Sequence, residues 1–96
     1  MSQVENNCKS DGRDPAVIAR VIETRADLRQ LRDRLERAVA DTEARHTEAY
    51  DGRGSRLEFA DQARRACEAA DAYRLALRLH VVALIALLDE RDRGAA

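Results

Sequence analysis

Five residues, Asp51-Gly52-Arg53-Gly54-Ser55, divide a chain of 96 residues almost at its midpoint, and each side carries a helical pattern of similar length. A glycine just past a helix end accepts the left-handed backbone that closes the helix. Ser55, followed three residues later by Glu58, forms a capping box that opens the next one. Stop, turn and start follow one another directly. The chain is therefore expected to fold as an antiparallel hairpin of two helices.

The first half begins with Asp14-Pro15, an N-cap followed by a first-turn proline. From there Val17, Val21, Thr24, Leu28, Leu31, Leu35, Ala38 and Thr42 fall alternately four and three apart, the spacing of a heptad seam. Ile18, Ile22 and Val39 widen that stripe. Asp33 with Arg37, and Asp41 with Arg45, are four-residue pairs in the favourable orientation. Helix 1 is expected over 15–50, roughly 54 Å long at about 1.5 Å per residue. Its polar stretch from Asp41 to Tyr50 is the part expected to fray or to restart.

Helix 2 is expected over 56–92, with a seam of Phe59, Ala63, Ala66, Ala70, Tyr73, Leu77, His80, Leu84 and Leu87. Gly94 would then lie beyond its end, and Arg91 and Arg93 would sit at the negative end of the helix dipole. Heptads this long without an interior proline favour a coiled-coil-like pairing. Residues 1–13 carry no periodic apolar signal and are expected to be a disordered tail, so the hairpin domain spans 14–93.

The two ends of the hairpin differ in character. Near the turn, helix 2 offers Ala60, Ala63, Ala66, Ala69, Ala70 and Ala72, which bury little area. Away from it, nine of the ten residues from Leu79 to Leu88 are apolar. They spread over three stripes, Leu77/Leu84, Leu79/Val82/Ala86 and Val81/Ile85/Leu88. A helix that is apolar all round must be surrounded, and one neighbour covers one side. With six large aliphatic side chains left open at about 1.5–3 kcal/mol each, the unrealised burial is on the order of 10 kcal/mol, comparable with the whole stability of a small domain. The open end thus calls for another surface. A second copy would complete a four-helix bundle, and a different protein is the other supplier. The residues expected at the dimer or partner interface are Val17, Ile18, Val21, Ile22, Val81, Val82, Ile85 and Leu88.

Composition limits the classes of function. The net charge is -1, from 17 basic and 18 acidic residues, which argues against nucleic acid as the partner. Sixteen of the 17 basic residues are arginine, most with acidic helical neighbours, so a solvated charged surface accounts for them. Arg25, Arg29 and Arg32 form one such stripe. No segment approaches the roughly 20 apolar residues of a membrane span. The N-terminus has no signal-peptide pattern, and Cys8 and Cys67 form no metal or redox motif, so a reducing, cytoplasmic setting is expected.

No catalytic constellation is present, and neither an enzymatic activity nor a cofactor is expected. His80 reads as a seam histidine bonded within the core, and Cys67 as a small packing residue. Glu43 and His46 make a Glu-x-x-His pair that could join Glu58 or Glu68 in a metal-binding bundle, but Glu43 and His46 flank the seam and point partly outward.

Tyr50-Asp51-Gly52, with Phe59 after it, stands where secreted hairpins of the WXG type carry Trp-x-Gly between two helices. The layout is similar to that family and implies an exported helical hairpin. The tryptophan is absent, and Leu77 follows Tyr73 where the family's export signal has an acidic residue. Paired long helices with an apolar end also resemble small helical antiactivators that sequester quorum-sensing regulators, although no motif is shared. The expectation drawn from the residues themselves is a small non-catalytic interaction module, a regulator or adaptor that binds or sequesters another protein through an apolar helical surface. A WXG-like exported hairpin and a metal-binding bundle are the alternatives.

Overall fold

The structure, a computed structural model, describes residues 14–95; the tail expected over 1–13, with Cys8, lies outside the described residues. Two helices make up the fold: α1, Pro15–Tyr50, and α2, Arg56–Ala95. They lie side by side in a rod 68 × 25 × 13 Å. Asp14 caps α1 as expected, its Oδ1 accepting from the Ala16 amide at 2.8 Å, with Pro15 in the first turn. Residues 41–50 neither fray nor restart, and α1 is continuous to Tyr50. At the far end α2 runs through Gly94 rather than stopping before it.

The turn is held by its backbone. Gly52 has φ +77, in the left-handed region. The Arg53 amide donates to the Glu48 carbonyl at 2.8 Å and the Gly52 amide to the Ala49 carbonyl at 3.1 Å, the paired bonds of a Schellman closure. Ser55 Oγ accepts from the amides of Leu57 and Glu58, so the serine half of the capping box is made. Gly54 passes so near α1 that an added Cβ would lie 2.9 Å from Glu48 Cβ.

Two contacts fix the register. Thr24 Oγ1 meets His80 Nδ1 across 56 residues of sequence, and Thr42 Oγ1 lies 3.3 Å from the Gln62 carbonyl across 20. Both pairs are centred on Gly52. The helices are therefore antiparallel with no slip between turn and tip, and Val21, Leu28 and Leu35 lie across from Ala83, Ala76 and Ala69.

All eight expected seam residues of α1 are buried or half-buried. The seam of α2 is turned from its expected position. Phe59, Ala63, Ala66, Ala70, Tyr73, His80 and Leu87 are buried or half-buried as expected, but Gln62, Ala69, Ala76 and Ala83 join the line. Leu77 and Leu84, expected in the seam, are exposed. The reason is the partner row. Bulky Val21, Leu28 and Leu35 interdigitate with alanines where a second row of leucines would force the helices apart, and the Thr24–His80 bond locks that rotation.

The resulting core is thin. Val21, Ala69, Ala76 and Ala83 are its buried apolar residues among those described, and no large side chain is fully enclosed.

Substitution in the turn should be costly. Gly52→Ala would force a Cβ into the left-handed region, at about 1 kcal/mol. Gly54→Ala would push Glu48 away and is expected to cost about 1–3 kcal/mol, as for other overpacked sites. Urea denaturation at one fixed protein concentration measures both; unshifted midpoints would mean that the turn is built differently.

Candidate protein interface

The tip half of α2 contributes three rows that α1 does not cover. Helical spacing sets Leu77 and Leu84 on one flank, Leu75, Leu79 and Val82 on the other, and Val81, Ile85 and Leu88 on the face directed away from α1. All eight side chains are between 40% and 56% exposed.

The expected interface residues divide accordingly. Val81, Val82, Ile85 and Leu88 are open to a partner, as is Ile22 on α1. Val17 and Ile18 are half-buried, and Val21 is enclosed between the helices, where it serves the hairpin itself. Leu75 is an open residue that sequence reasoning did not single out. The signal was present in its spacing of four and seven from Leu79 and Val82.

The flank that bears Leu75 and Leu79 is concave. A groove of ≈290 Å³ is lined by Thr24, Asp27, Gln30, Leu31, Ala72, Leu75, Ala76 and Leu79. It exists because Ala72 and Ala76 leave space beside the seam. Polar Asp27 and Gln30 join Leu31 on the α1 side of the groove, and Leu75 and Leu79 line the α2 side.

His80 and Thr24 lie beneath this surface, both buried. Thr24 Oγ1 is 3.0 Å from the Arg20 carbonyl, 3.1 Å from the Val21 carbonyl and 2.8 Å from His80 Nδ1. A hydroxyl has one proton to give. Donated to its own helix, that proton leaves a lone pair for Nδ1–H; donated to Nδ1, it pairs with the other tautomer, and either way the contact joins the two helices. His80 is thus a bonded seam residue that fixes rotation and register.

The remaining candidates are accounted for individually. His46 stacks on Tyr50 with ring centroids 6.4 Å apart and meets Phe59 edge-on at 5.5 Å. This small aromatic cluster, with the Thr42–Gln62 contact, keeps residues 41–50 helical. Among the described residues no three His, Cys, Asp or Glu side chains come together in a way that could hold a metal ion, so Glu43 and His46 acquire no companions within one chain. Cys67 is exposed, not packed as expected, because its position lies off the displaced seam. Arg25, Arg29 and Arg32 all face solvent, with Arg32 at 3.9 Å from Asp33. Among the described residues, no helix is long and apolar enough to cross a membrane.

Charge is distributed unevenly along the rod. Toward the turn, Arg45 pairs with Glu48, Arg53 with Asp51, Arg64 with Asp61 and Glu68, and Arg65 with Asp61. The hydrogen bond that Arg64 donates to Asp61, reinforced by the charge of Glu68, raises the Arg64 guanidinium above its ordinary pKa. Toward the tip, Glu90 holds Arg93 and raises its pKa likewise; among the described residues Arg78, Asp89 and Asp92 form no ion pair within the chain, nor do Asp41, Glu43, Arg56 and Glu58 toward the turn.

Fold and surface together define an antiparallel helical hairpin with an uncovered apolar tip. No protein-family model, no curated protein and no solved structure matches the chain. The functional reading is carried by the geometry.

Replacing Thr24 by valine keeps the shape and removes the partner of a buried nitrogen. The expected loss is about 1–3 kcal/mol in denaturant at fixed protein concentration, with Thr24→Val/His80→Leu recovering most of it. A single variant as stable as the parent would show that the Thr24–His80 bond contributes nothing to the fold.

Proposed function

We propose that the protein is a small non-catalytic interaction module that works by self-association and by binding or sequestering another protein through its apolar tip. One observation carries this reading: eight large aliphatic side chains between Leu75 and Leu88 stand open on a helix whose inward face is already occupied. Burying each is worth about 1.5–3 kcal/mol. The hairpin alone encloses three alanines and one valine in their place. A second copy supplies the missing cover most simply, bringing four helices together at the tips.

The regulated partner in this reading is a protein. An apolar groove between two helices suits an amphipathic helix laid along it, and a net charge of -1 gives no general attraction to nucleic acid. Action in the cytoplasm, with the exposed Cys67 thiol reduced, belongs to the same proposal.

Ile85→Asp places a charge in the middle of the open surface. Sedimentation equilibrium should show the parent chain as more than one copy and the variant as one copy with a lower melting temperature. A parent chain that remains single at every concentration, with a melting temperature that the variant leaves unchanged, would overturn the proposal.

A further inference from the structure

The outward face of α2 carries a second heptad line, distinct from the seam. Arg74, Arg78, Val81, Ile85, Leu88 and Asp92 succeed one another four, three, four, three and four residues apart. Every member is exposed. The line reads basic, basic, three aliphatics, acidic, with Asp89 adjoining Leu88 at the acidic end. It is also symmetric in spacing about Ala83. Arg74 and Asp92, Arg78 and Leu88, and Val81 and Ile85 are equidistant from that point.

From this antisymmetry, and resting on the self-association proposed above, we infer that the occupant of the outward stripe is the same stripe of a second copy, running antiparallel and centred at Ala83. Val81 of each copy then packs on Ile85 of the other. Arg74 meets Asp92, and Arg78 lies over Leu88 with its guanidinium beside Asp89. The alkyl stem of Arg78 covers Leu88 while its head reaches the carboxylate. Four ion pairs flank an apolar centre, two at each end by symmetry.

The competing arrangements fail on charge or on burial. A parallel pair sets each residue beside its own copy. Arg78 would then face Arg78 and Asp89 would face Asp89, which is repulsive at both ends. Full antiparallel overlap, turn against tip, would lay the apolar decade on the charged turn half and bury polar groups against it. Only an overlap confined to the tips satisfies both. The free state of the charges agrees. Arg78, Asp89 and Asp92 have no ion pair within the chain among the described residues, and the Arg74–Asp71 pair is 76% and 73% exposed, so it offers little resistance to a new partner. The two turns would point in opposite directions. At about 1.5 Å per residue they would stand roughly 90 Å apart, giving a rod much longer than either hairpin.

Orientation is read by cross-linking in a Cys8→Ser/Cys67→Ser background. Arg78→Cys and Leu88→Cys chains, mixed and oxidised, should join to each other, and neither should join to itself. Reversing one end, by Arg74→Glu/Arg78→Glu or by Asp89→Arg/Asp92→Arg, should weaken self-association roughly tenfold or more, because four pairs change from attractive to repulsive together. Reversing both ends in one chain should restore it. All of these positions are exposed, and circular dichroism at 222 nm checks that each variant stays helical. Self-joining of Arg78→Cys chains, or one-sided reversals without effect on an associated parent, would overturn the antiparallel stripe while leaving self-association standing. A parent chain that sediments as a single copy throughout would overturn both.

Discussion

Two helices lying side by side share a single line of contact, and what is placed on that line decides everything outside it. Here α2 gives the line to alanine. In the register set by Thr24–His80 and Thr42–Gln62, Ala69, Ala76 and Ala83 lie across from Leu35, Leu28 and Val21, so large faces small and the helices need not splay. Alanine buries little area, and the hairpin gains correspondingly little from its own core. The same choice turns Leu77 and Leu84 outward, next to a tip already rich in aliphatic residues. A thin interior and an apolar exterior are one feature seen from two sides.

A row of alanines discriminates poorly between registers, because one small side chain packs much like the next. Polar contacts supply the discrimination. Thr24 with His80 near the tip and Thr42 with Gln62 near the turn are satisfied together in one alignment, and that alignment is centred on Gly52. Slipping α2 by one residue would strand a buried imidazole nitrogen, a penalty of about 1–3 kcal/mol that alanine packing would not repay. The left-handed glycine and the two amide bonds to Glu48 and Ala49 set the same register from the other end. The rotation of α2, and with it the identity of the outward stripe, follows from these small polar groups.

How far the sequence disclosed this depends on the element. The seam of α1 is legible at all eight positions, because large apolar residues alternate with charges and leave one reading. The turn is legible for the same reason, since Gly52 and Ser55 are residue types with narrow backbone uses. In α2 the seven-residue row of Phe59, Ala66, Tyr73, His80 and Leu87 is legible, but the second row is legible only as far as Ala70. A helix that is apolar on several faces offers two heptad frames one residue apart, and the ordinary preference for burying leucine selects Leu77 and Leu84. The deciding fact lies on α1, whose leucines and valine require a small residue opposite. Cys67 was misplaced with the frame. At the open end, Val81, Val82, Ile85 and Leu88 were legible as surplus apolar surface, whereas Val21 belongs to the seam alone. Leu75 was hidden because it precedes the continuous apolar run.

The charges show why the surplus lies at one end only. Toward the turn, Glu48, Asp51, Asp61 and Glu68 are each tied to an arginine, and Arg64 and Arg65 share Asp61. Such a surface is densely charged and well hydrated, and it has little reason to meet another protein. Toward the tip the pattern reverses. Apolar residues occupy the positions that partners would need, while Arg78 stands eleven residues before Asp89, too far along the helix to reach it. Within one chain, charges separated in this way contribute almost nothing beyond solubility. Between two chains in opposite directions they become neighbours. A separation of opposite charges by an apolar interval is therefore of little use to a solitary hairpin and specifies direction in a pair. The local salt links keep the turn half inert, and the unpaired ends of the apolar interval supply the orientation that aliphatic side chains alone would leave open.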